Sequence, residues 1–128
     1  MKEKTPRSTA INNKKRGKNL ERKVVKLYQE RGWIAQRAWG SDGRALGLSP
    51  GVDVEASLRY FQHVIQCKKK KKLAGYLKPA ECVDMVITEE DRGTMFAIVP
   101  LRKLLDWIKL LENIIQEGHR EQTSKTTC

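Results

Sequence analysis

The pattern of apolar residues along this 128-residue chain predicts an α/β fold: a compact sheet flanked by helices, in the order α-β-β-β-α-β-β-α. Three observations carry that expectation. Leu20, Val24, Leu27 and Tyr28 recur at helical spacing near the N-terminus, and Leu104, Ile108, Leu111 and Ile115 do so near the C-terminus. Between them lie short runs rich in β-branched and aromatic residues, bounded by glycine, proline and charged turns. The length suits one domain with a single core. We expect a flexible basic arm over residues 1–12, the domain over 13–118 and a mobile tail over 119–128.

In chain order, Asn13 or Asn12 can cap a first helix that reaches Arg31, and Gly32 stands where a helix C-terminus favours glycine. Trp33 to Trp39 reads as a strand running into a mobile loop, Gly40 to Gly51, which holds four glycines and a proline. Val52 to Leu58 alternates as a second strand, Arg59 and Tyr60 mark a turn, and His63 to Lys69 forms a third strand hairpinned to the second. Leu73 to Glu81 reads as a short helix, weakened by Gly75 and Pro79. Val83 to Thr88 and Thr94 to Val99 form a further strand pair around the turn Glu89 to Gly93, and Pro100 opens the terminal helix.

Charge narrows the partner. Lys and Arg number 26 against 15 Asp and Glu, a formal charge of +11, which attracts a polyanion. Residues 1–31 hold eleven basic and three acidic side chains, and residues 63–80 hold six basic and none acidic. A membrane-binding helix would concentrate such charge beside bulky apolar residues. Two separate basic segments instead suit a groove for phosphate backbones, so we expect no membrane partner. No apolar run approaches the ~20 residues of a membrane span, and no secretory h-region opens the chain. Cys67, Cys82 and Cys128 are odd in number and lack CxxC spacing, which disfavours a disulfide framework or a structural zinc site. These features together predict a cytoplasmic protein.

The candidate chemistry begins on the first helix. On a wheel of about 100° per residue, Glu21 falls inside the apolar arc of Leu20, Val24, Val25 and Tyr28. A carboxylate there is costly unless a cation or donors meet it. Strand alternation puts Asp53 and Glu55 on one face of the second strand, and Gln66 and Lys68 on one face of the third, with His63, Ile65 and Cys67 opposite. A hairpin then sets Asp, Gln and Lys side by side, within reach of Glu21. Hard divalent cations favour oxygen ligands of this kind. Taken alone, Asp-x-Glu and Gln-x-Lys fit the polar outer face of a ribbon better than a site; Glu21 tips the balance towards a site.

These residues resemble a family. The run Lys14-Lys15-Arg16-Gly17-Lys18-Asn19-Leu20-Glu21-Arg22, the Gly40-Ser41 loop, Gly51-Val52-Asp53-Val54 and Gln66-Cys67-Lys68 look like the archaeal and phage Holliday junction resolvases of the PD-(D/E)XK nuclease superfamily. The motif-level resemblance covers roughly residues 12–70. It implies a restriction-endonuclease-like core with a central mixed β-sheet, and a Mg²⁺-dependent, or Mn²⁺-dependent, endodeoxyribonuclease that cleaves branched DNA in recombination and repair. By resemblance Asp53 is the central metal ligand and Glu21 supports the metal. Gln66 and the backbone carbonyl of Cys67 are further ligands, Lys68 orients or activates the attacking water, and Ser41 is the loop serine near the scissile phosphate. Lys15 or Arg16 matches the family's basic residue ahead of the helix carboxylate.

Two positions depart from the family pattern. Val52 replaces proline, which a strand start tolerates. Gln66 replaces a glutamate, removing one negative charge and weakening metal binding, a loss that Glu55 could offset. For DNA binding we expect Lys14, Lys15, Arg16, Lys18, Arg44 and the run Lys69, Lys70, Lys71 and Lys72. Trp33, Trp39 and Trp107 read as core or interface residues, Cys67 as a buried core thiol, and His63 and His119 receive no role. Two symmetric nicks in a four-way junction imply a homodimer, with no small-molecule cofactor, and a phage or prophage setting agrees with the resemblance. The alternatives are a VRR-type flap or nicking nuclease, and a catalytically decayed DNA-binding protein on the same scaffold.

Overall fold

The computed structural model describes the backbone of residues 6–125 and the side chains of residues 11–40 and 42–118. The chain divides into two compact units, residues 1–71 and 72–128. In the first, helix α1 (Pro6–Gln29) precedes the strands β1 (Ile34–Arg37), β2 (Val54–Leu58) and β3 (Phe61–Ile65). The described helix takes in residues 6–12, ahead of the Asn12 or Asn13 cap expected from sequence. At the other end the Trp33 N–H donates to the Tyr28 carbonyl at 3.1 Å, and Gly32 adopts the left-handed φ of 86° that turns the chain away.

The three strands form an antiparallel sheet in sequence order, with Ala35 opposite Ala56, Val54 opposite Ile65, and Ala56 opposite His63. α1 packs on β1 and β2. Tyr28, Trp33, Ala35, Ala38, Val54 and Ala56 are buried. The Tyr28 and Trp33 rings meet edge to face at 4.9 Å, and the Tyr28 hydroxyl is hydrogen-bonded to His63 Nδ1 at 2.8 Å. His63 therefore has a structural role as the polar partner of a buried tyrosine. Between β1 and β2 the glycine-rich segment is built from two 3-10 turns, Trp39–Ser41 and Gly43–Leu46. Asp42 caps the second turn by accepting from the Arg44 N–H at 3.0 Å.

In the second unit β4 (Val86–Glu89) and β5 (Met95–Ile98) form an antiparallel pair, and α2 runs from Leu101 to Lys125. Pro100 precedes α2 and its carbonyl accepts from the Leu104 N–H at 3.1 Å. Among the described side chains of α2, Leu105, Ile108 and Glu112 are buried; Leu111, expected on the apolar stripe, is 48% exposed. The expected tail from residue 119 begins within α2, and Cys128 lies outside the described residues.

The element order and the α/β class are those expected, consistent with a restriction-endonuclease-like core. Two details differ. The strands form two small antiparallel sheets, one within each unit, where one central mixed sheet was expected. The helix expected over Leu73 to Glu81 is one 3-10 turn, Gly75–Leu77. Pro79 forces the preceding Lys78 into extended backbone, φ −94° and ψ 123°, which ends the turn.

Candidate active site

Glu21 is 4% exposed, and Arg37 at the end of β1 meets it, Nε donating to Oε2 at 3.1 Å. The guanidinium offsets the cost of burying the carboxylate. Arg37 was absent from the sequence-derived candidates; it stands two residues after the buried Ala35, on the same face of β1, a placement that the structure supplies.

Asp53 sits just ahead of β2, tied to its neighbours on both sides. Its N–H donates to the Ile65 carbonyl at 2.8 Å, its carbonyl accepts from the Ala38 N–H at 2.8 Å, and its Oδ2 accepts from the Cys67 N–H at 2.7 Å. The carboxylate is thereby fixed where β1 ends, β2 begins and the chain leaves β3. Burial first, and the facing Asp53 and Glu21 carboxylates after it, push the Cys67 thiol up to about 11. The thiol stays protonated at neutral pH.

Glu21, Asp53, Cys67 and Lys68 line one cavity of about 330 Å³, together with Asn13, Lys14, Gly17, Lys18 and Gly40. Two basic cavities also line α1. One, of about 280 Å³, is bounded by Lys18, Arg22, Arg37, Ala38, Trp39 and Gly40; the other, of about 350 Å³, by Ile11, Lys14, Lys15, Lys18 and Arg22. Lys18 is common to all three. Asn13, Gly17, Arg22 and Trp39 join the candidates here, because their positions along α1 and the turn after β1 become meaningful only once the helix lies on the sheet.

Other expected residues lie elsewhere. Gln66 is exposed and does not line the carboxylate cavity; its Nε2 approaches Gly51. β3 ends at Ile65, so strict alternation lapses and Cys67 turns inward beside Lys68, contrary to the face expected from a strand reaching Lys69. Glu55 is engaged by Gln62 Nε2 at 3.1 Å and Gln36 Nε2 at 3.5 Å, away from Asp53. Arg44 is paired with Asp42, NH2 to Oδ2 at 2.6 Å, and its side-chain and backbone hydrogen bonds hold the Asp42 carboxyl below its usual range. Arg16 is half-buried on α1, Lys69, Lys70, Lys71 and Lys72 are exposed, and none of these five lines the three cavities. Ser41 ends the first 3-10 turn; its side chain lies outside the described residues.

Among the described residues no cluster of three or more His, Cys, Asp or Glu side chains is placed to hold a metal. Two carboxylates lining one cavity still suit Mg²⁺, which takes one or two carboxylates and keeps several waters.

The archaeal Holliday junction resolvase (Hjc) family model matches residues 12–113. The chain belongs to this family. Resolvases of the family are nucleases that act on Holliday junctions, so the protein is a resolvase-type nuclease whose substrate is branched DNA. The match takes in Glu21, Asp53 and Lys68, the residues the cavity brings together. No curated protein and no solved structure matches the chain. Among the described residues no helix is long and apolar enough to cross a membrane.

Proposed function

We propose that this resolvase is a Mg²⁺-dependent endodeoxyribonuclease that nicks phosphodiester bonds in branched DNA, with Asp53, Glu21 and Lys68 at its centre. One observation carries the reading: two carboxylates and a lysine line a single cavity whose rim adds Lys14 and Lys18. Asp53 is the principal metal ligand, held in place by three main-chain hydrogen bonds. Glu21 supports the metal from the helix, with Arg37 holding its carboxylate in one orientation. The Cys67 backbone carbonyl is a further oxygen donor, and Gln66, exposed and neutral, contributes less. Bound at these residues, a divalent cation would polarise the phosphate and acidify water. Lys68 stabilises charge developing on the phosphoryl oxygens, and Ser41 assists at the same phosphate. Lys14 and Lys18 grip the flanking backbone, with Lys15, Arg16 and the Lys69–Lys72 run further along it.

The family match spans both compact units, which supports one nuclease domain over residues 13–118. Symmetric nicking of a four-way junction calls for a homodimer. An intracellular protein of phage or prophage setting fits this reading.

The test offers labelled four-way junction, flap and linear duplex with Mg²⁺ or Mn²⁺. Preferential nicking of the junction is expected. A flap preference would favour the VRR-type alternative. Binding without cleavage in either metal would favour a decayed scaffold, the reading suggested by the two-carboxylate site and by Gln66.

A further inference from the structure

Trp39 has no place in the chemistry above, and its setting is unusual. It is 87% exposed, whereas Trp33, six residues earlier, is 4% exposed in the core. Exposure alone is common in this chain, as at Ile34 and Tyr76; what sets Trp39 apart is that its exposed indole borders a basic cavity beside the carboxylate site. It lines the cavity of about 280 Å³ with Lys18, Arg22 and Arg37, and no acidic side chain lines that cavity. Lys18 and Gly40 belong also to the cavity that holds Asp53. The position is rigidly indexed to the site: the neighbouring Ala38 is 1% exposed and its N–H donates to the Asp53 carbonyl at 2.8 Å. On the other side Gly40 takes φ 65°, a left-handed turn that favours glycine.

A flat π face rimmed by cations, beside a phosphodiester site, matches a nucleobase with its flanking phosphates. A paired duplex keeps its base faces stacked inside, and only a branch point or a single strand offers one.

We propose that Trp39 is a stacking platform for an unstacked nucleobase at the branch point, and that it makes binding selective for branched DNA over linear duplex. The inference rests on the nuclease reading and adds the feature by which that site tells its substrate from ordinary DNA. An acidic protein surface could meet the cations but has no use for the exposed indole.

The experiment measures binding of the full chain, in EDTA so that nothing is cut, to a four-way junction carrying 2-aminopurine at the branch and to a linear duplex of the same sequence. Wild-type protein is expected to change the 2-aminopurine fluorescence and to prefer the junction. Trp39→Ala should lose about tenfold in junction affinity, leave duplex affinity unchanged and abolish the fluorescence change, while Trp39→Phe keeps most of both. Circular dichroism of both variants checks that the fold is kept, as the exposure of Trp39 leads us to expect. Equal junction binding by Trp39→Ala and wild type, or an equal loss on junction and duplex, overturns the inference and leaves the nuclease reading standing. Wild-type protein that binds neither DNA overturns that reading, and the inference with it.

Discussion

Arg37 and Glu21 form the residue-scale pair on which the proposed site depends. Glu21 is almost fully buried and Arg37 is partly exposed, with side-chain exposures of 5% and 27%. Removing the guanidinium takes one charged hydrogen-bond donor from a buried carboxylate. Arg37→Met should therefore destabilise the protein by about 1–3 kcal/mol, read from urea denaturation. An unchanged midpoint would mean that Glu21 is held by its other contacts. His63 gives a second prediction at this scale. Burial lowers its pKa, so the folded state prefers the neutral ring bonded to Tyr28. The unfolded chain then binds the extra proton more readily, and stability is full above the ordinary value of 6.5 and falls as pH drops through the window below it. His63→Gln should flatten the fall in melting temperature below pH 6.5 relative to wild type. A wild-type profile already flat there would remove the argument.

At the scale of elements, the segment between β1 and β2 looks like a mobile loop in sequence because glycine is read there as freedom. In the structure Gly43 is a packing requirement. A Cβ at that position would overlap the Ser49 carbonyl oxygen and crowd Val52 Cβ, which lies one residue ahead of Asp53. Gly43→Ala should cost about 1–3 kcal/mol and lower cleavage, measured as a fall in melting temperature alongside nicking rate. If both were unchanged, the segment would be as pliable as its composition implies. The hairpin of β2 and β3 was legible from alternation and from the Arg59-Tyr60 turn, and so was the helix bearing Glu21. The side-chain facing at the end of β3 was not: alternation holds only while the ladder continues, and β3 stops at Ile65. Hence Cys67 lines the cavity where Gln66 was expected. The cation partner of Glu21 and the exposure of Trp39 depend on the register of β1 against β2, which composition does not encode.

For the whole molecule, the charge of +11 resolves into parts with different work. Lys14 and Lys18 line the cavity itself, whereas Lys69, Lys70, Lys71 and Lys72 are exposed and outside it. The run should thus contribute affinity without chemistry. Changing all four to Gln should weaken DNA binding and lower the salt slope by about one unit for each phosphate no longer neutralised, with the nicking rate at saturating DNA preserved. An unchanged slope would make the run plain solvated surface. The central claim is that Asp53, its carboxylate bonded by the Cys67 N–H and its main chain tied to Ala38 and Ile65, holds the metal that cleavage requires. It is tested most directly by single-turnover cleavage of a four-way junction in Mg²⁺ by wild type and Asp53→Ala, with binding of both measured in EDTA. Paired nicks by wild type, and intact binding with no nicks by Asp53→Ala, are the expected result; nicking by Asp53→Ala at the wild-type rate would contradict it.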